Sequence, residues 1–91
     1  MSVKVRIPLP LRSLTGNLGE VAAMGNNMRE IIRDLEATYP GVKGRILRED
    51  DELGRFVSIF VNGQDIRLLD EQDTTVKDGD VITILPLTAG G

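Results

Sequence analysis

Three stretches of this chain carry groups that could do chemistry. They are the acidic run Glu49, Asp50, Asp51 and Glu52, the carboxylates Asp70, Glu71, Asp73, Asp78 and Asp80, and the terminal pair Gly90 and Gly91. Carboxylates bind calcium when their oxygens are spaced around a fixed glycine, and they do acid–base work when burial or mutual repulsion drives their pKa values apart. The first run lacks calcium-loop spacing and reads as a solvated charge run. The second group falls in turns that water should reach, Asp78-Gly79-Asp80 among them, and reads as turn chemistry. The glycine pair is different. Glycine loses the most conformational freedom on ordering, so this pair adds nothing to a core, and a role other than packing has to be sought for it.

Composition narrows the remaining classes. Cysteine and histidine are both absent, which removes disulfides, thiolate chemistry, the commonest general base and the commonest metal ligand. Eleven basic and fourteen acidic residues leave a net charge of −3, and only three residues are aromatic. Phosphate contacts and base stacking are therefore poorly supplied, and no nucleic-acid partner is expected. The opening "MSVKVRIPLPLRS" alternates charge with valine and lacks the apolar core of a signal peptide. No run approaches membrane-spanning length, so no membrane role is expected and a cytoplasmic location is the default.

The elements that would position the terminal glycines can be read from periodicity. Val3, Val5 and Ile7 alternate with Lys4 and Arg6, a strand with one buried face, which Pro8 and Pro10 end. Leu18 and Val21 bracket Glu20 in a weaker second strand, with Gly16, Asn17 and Gly19 as the turn before it. Met28, Ile31, Ile32, Leu35 and Tyr39 recur at helical spacing. Asn27 can cap that helix with Glu30 as its capping-box partner, and Pro40 and Gly41 stop it. Residues 42–54 read as an irregular connection with one short helical turn around Ile46 and Leu47.

"RFVSIFVNGQDIRLL" predicts two strands joined at Asn62-Gly63. Val57, Ile59 and Val61 would face the core, which puts Phe56, Ser58 and Phe60 on the opposite face. Aromatics there can mark a docking surface or be singly exposed residues of no consequence. "VITIL" predicts a last strand before Pro86. The order is strand, strand, helix, then three strands. That order fits an α+β chain of the β-grasp type: a mixed sheet of about five strands with one main helix across one face and the last strand central beside the first. Residues 1–85 would form this domain and residues 86–91 a flexible tail.

At this point the chain resembles the ubiquitin-like sulfur carriers of the MoaD/ThiS family, and within it the CysO-type branch of cysteine biosynthesis. The likeness is carried by "IRDLEATYPGV", by "RFVSIFVNGQDIR" and above all by the closing "DGDVITILPLTAGG". The resemblance implies that Gly91 is the reactive group. A free α-carboxylate has a pKa of about 3.5 and is a poor electrophile as the anion, so it needs activation. In the family an ATP-using, ubiquitin-activating-like adenylating enzyme activates it, sulfur displaces AMP, and the resulting thiocarboxylate donates sulfur. Gly90 and Ala89 would let the tail thread a narrow channel. Pro86 to Gly91 can span roughly 20 Å when extended, at about 3.3–3.6 Å per residue.

The implied partners are the activating enzyme, a sulfur-accepting synthase of the cysteine-synthase type, and a zinc metalloprotease. ATP, pyridoxal phosphate and zinc would all belong to those partners, so this chain would bind no cofactor and would be a protein cosubstrate, not an enzyme. Phe60 and Leu85 on the outward sheet face, with Leu87 at the root of the tail, are the docking candidates. Molybdopterin or thiamine synthesis could receive the sulfur instead. Two other readings stay open: a ubiquitin-like modifier joined through Gly91 to lysines of target proteins, and a binding module whose tail is incidental.

Overall fold

The computed structural model describes residues 2–86, and the expectations for Leu87, Ala89, Gly90 and Gly91 lie outside that range. Strand β1, Val3–Arg6, buries Val3 and Val5 and exposes Lys4 and Arg6, as the two-residue period requires. It pairs antiparallel with β2, Glu20–Ala23, in a register that sets Val5 opposite Val21 and Arg6 opposite Glu20.

The connection between these strands differs from the expected turn. Leu9–Thr15 forms a 3-10 helix, with proline at its start and Leu11 and Thr15 buried beneath it. Proline pre-sets the backbone angle of a first helical turn, so the prolines that end β1 also begin this helix. Gly16, at φ 63°, closes it. Leu18, expected to flank the second strand, is half exposed in the loop before β2, while Val21 is buried.

Helix α1, Met28–Thr38, packs Met28, Ile31, Ile32 and Leu35 against the sheet. Its start is built as its residue types predict: Asn27 Oδ1 accepts from the Glu30 backbone N–H at 2.9 Å. The Glu30 carboxylate reaches back to the Asn26 N–H at 2.8 Å, one residue further than a standard capping box. At the far end Glu36 accepts from the backbone N–H groups of Gly41 and Lys43, which carries the chain from α1 into a second helix. That helix, α2, spans Val42–Ile46 and begins earlier than the turn expected around Ile46 and Leu47. Val42 and Ile46 explain the shift, since they stand one turn apart and both are fully buried.

Strand β3, Val57–Val61, turns through Asn62 (φ 52°) and Gly63 (φ 87°) into the short β4, Gln64–Asp65. Two consecutive left-handed residues make the turn whose twist matches a hairpin, which is why Asn-Gly is found there. The last strand, β5, runs Val81–Pro86. It lies between β1, to which it is parallel, and β3, to which it is antiparallel, giving the order β2-β1-β5-β3-β4. The inward residues Ile59, Ile82 and Ile84 meet the buried faces of α1 and α2 in one core. Each such buried side chain is worth roughly 1.5–3 kcal/mol. A five-stranded mixed sheet with α1 laid across one face is the expected β-grasp.

Candidate functional site

Because side chains alternate along β5, burying Ile82 and Ile84 forces Val81, Thr83 and Leu85 onto the opposite, outer face. Register then fixes their neighbours. Thr83 lies beside Arg6 of β1 and opposite Phe60 of β3, Leu85 lies opposite Ser58, and Val81 lies beside Lys4. The outer face thus joins a small apolar patch, Phe60 and Leu85, to a basic margin, Lys4 and Arg6. Leu85 is 45 % exposed, whereas Phe60 is only partly accessible and Ser58 is buried.

This departs in two ways from the expected row of outward aromatics. Phe56 lies in the turn before β3 and is 56 % exposed, so it is not part of the strand that carries Phe60. Ser58, expected against solvent, is covered. The contribution of Arg6 and Thr83 to the face was missed. The alternation of Lys4 and Arg6 signals an outward pair, but only the parallel pairing of β1 with β5 brings that pair next to Thr83.

The ladder between β3 and β5 ends with Pro86 opposite Val57. Leu85 stands one residue before that end, and Phe60 lies opposite Thr83 further back along the ladder, while Leu87 falls outside the described residues.

The acidic positions take structural roles, as their types and turns suggested. Asp50 accepts from the Arg48 guanidinium at 2.9 Å and from the Glu52 N–H at 3.1 Å, closing a small loop. Asp73 pairs with Arg29 at 3.3 Å, and Asp78 accepts from the Ser2 N–H at 2.9 Å. Asp80 is held most firmly. The Asn62 side-chain amide donates to one of its oxygens and the Lys77 backbone N–H to the other, and these bonds hold its carboxyl below the ordinary carboxylate range, helped by the Lys77 charge and opposed by partial burial. Among the described residues, no three acidic side chains converge on a metal site. Nor is any described helix long and apolar enough to cross a membrane.

Comparison with known proteins places this arrangement. The ThiS family pattern matches residues 5–91, through the terminal glycines. The chain belongs to the ThiS family. As a ThiS-family protein it is a ubiquitin-like sulfur carrier, 43% identical over 93 residues to the sulfur carrier protein CysO of Mycobacterium tuberculosis, with 100% of each chain covered. Its fold superposes on a chain of the Amycolatopsis orientalis BexX/CysO complex with a TM-score of 0.92 at 44% identity, spanning 98% of this chain and 99% of that one. The small archaeal modifier protein 1 of Methanosarcina acetivorans superposes with a TM-score of 0.85 at 33% identity, spanning 99% of this chain and 96% of that one.

Proposed function

We propose that this ThiS-family carrier delivers sulfur through a thiocarboxylate at Gly91, and that the recipient pathway is cysteine biosynthesis. The observation that carries this reading is the family match running through Gly91 on a chain whose central strand leads directly to it. A partner enzyme using ATP adenylates the Gly91 carboxylate, and a sulfur nucleophile then displaces AMP. The anionic carboxylate is a poor electrophile at neutral pH, and adenylation supplies it with a good leaving group. The chain itself acts as a cosubstrate in the cytoplasm. Its contribution is presentation: Gly90 and Ala89 keep the terminus slim, and Phe60, Leu85 and Leu87 dock the carrier on its partners.

The CysO relatives support cysteine synthesis as the destination. On that reading a cysteine-synthase-type acceptor and a zinc metalloprotease are the further partners. Pyridoxal phosphate and zinc belong to those enzymes. A second reading, conjugation of Gly91 to lysines of target proteins, is favoured by the similarity to archaeal modifier proteins.

Mass spectrometry of protein taken from its native cell separates the two. Exchange of oxygen for sulfur at Gly91 supports the carrier, and isopeptide adducts support the modifier. Absence of both when sulfur is plentiful would overturn each. Complementation of strains lacking a cysteine-pathway, molybdopterin or thiamine carrier assigns the pathway.

A further inference from the structure

On the helical side of the sheet, α1, α2 and the segments around Asp51 and Gln72 line a partly open pocket of about 130 Å³. A single water takes up about 30 Å³ of liquid, so this space admits a small polyatomic group. Ile32 and Leu47 supply its apolar wall, and Arg29, Arg33 and Lys43 bring cationic side chains to it. Gln72, only 6 % exposed, also lines it, with its amide fixed by donation to the Asp51 carbonyl at 2.8 Å.

Convergence of three cations is unexpected in a chain of net charge −3. Arg29 and Arg33 stand four residues apart on α1, a like-charge spacing that weakens a helix instead of supporting it. Two of the cations have acidic neighbours, but loosely. Arg29 meets Asp73 at 3.3 Å and Lys43 meets Asp51 at 3.7 Å, and the four side chains are 47–73% exposed. Exposed pairs of that kind contribute little and yield readily to a competing anion. Arg33 makes no ion pair among the described residues.

From this geometry we propose that the cavity binds a small oxyanion, a phosphate or carboxylate group, gripped by Arg33 with Arg29 and Lys43 beside it. A guanidinium presents parallel N–H donors that match either group in a two-point contact. The apolar wall would exclude water from one side of the ligand and strengthen that contact. Asp51 is the one carboxylate in the lining, so it opposes an incoming anion.

The test is an amide and arginine side-chain NMR titration of the full chain with inorganic phosphate and, separately, with acetate, both at matched ionic strength. Saturable shifts confined to the lining, Arg29, Ile32, Arg33, Lys43, Leu47, Asp51 and Gln72, are expected with at least one of them, and the responding probe identifies the group. Arg33→Gln should weaken that binding about tenfold, the loss of one charge-assisted hydrogen bond. Arg45→Gln, a charge lost elsewhere on α2, should leave it unchanged. Asp51→Asn should tighten it, and asparagine tolerates the left-handed backbone of position 51, at φ 63°, so the turn survives. The proposal is overturned if neither probe saturates, if the shifts spread over the surface, or if Arg33→Gln and Arg45→Gln behave alike.

Discussion

The Asn62 side chain joins the turn after β3 to the entrance of β5. Its amide donates to Asp80 at 3.0 Å while its oxygen accepts from the Val81 N–H at 2.9 Å. The same corner holds the start of β1, because Asp80's carbonyl accepts from the Lys4 N–H. One residue therefore links the three strands that carry the outer face: the Asp80 carboxylate holds Asn62, and its backbone carbonyl holds β1.

That clasp predicts an acid-sensitive contribution. Asp80's carboxyl lies below its ordinary range in the folded chain, so its ionised form stabilises the fold at neutral pH. The contribution is lost as the pH falls below about 4, the unfolded carboxylate value, and through the lower folded one. Asp80→Asn should cost about 1 kcal/mol at pH 7, one hydrogen bond's worth. Urea denaturation at pH 7 and pH 3 checks this: the gap between variant and parent should shrink at the acid end.

At the start of α1, Asn27 satisfies the Glu30 N–H. Asn27→Ala should lower stability by about 1 kcal/mol, and Asn27→Asp should retain most of it, because aspartate caps equally well. Thermal or urea unfolding of the two variants side by side measures the difference.

Gly25 precedes that cap, and the turn there passes close to the helix. A Cβ at this position would lie 2.8 Å from the Glu30 Cβ and 3.0 Å from the Ile31 backbone nitrogen, so backbone would have to move. Gly25→Ala should therefore cost about 1–3 kcal/mol, as overpacking does. Equal stability in a denaturant titration would rule the clash out.

For the outer face, Leu85→Ala should leave unfolding within about 0.5 kcal/mol of the parent, since Leu85 is 45 % exposed. If Leu85 anchors the proposed activating enzyme, binding to that enzyme should fall roughly tenfold, the usual cost of truncating an interface anchor. Leu18→Ala removes a similarly exposed leucine from the loop before β2 and serves as the control. Matching affinities for the two variants would remove Leu85 from the docking surface.

Much of this protein was legible from residue order alone, because local periodicity reports which side of an element meets a core. The alternation in β1, the stripe from Met28 to Leu35, the cap at Asn27 and the Asn62-Gly63 turn are all local patterns, and the structure keeps each. The closing segment also pointed to the family. Tertiary structure decided what depends on partners distant in sequence. It made helices of Leu9–Thr15, which proline starts and burial of Leu11 and Thr15 anchors, and of Val42–Ile46, where burial of Val42 and Ile46 outweighs the local glycine. It set Arg6, Thr83 and Phe60 in one row, a fact of register that no single strand encodes. The basic cavity likewise draws its lining from four separated segments. Side-chain period is a property of a few neighbouring residues, whereas pairing and enclosure arise only when the whole chain buries its apolar faces together.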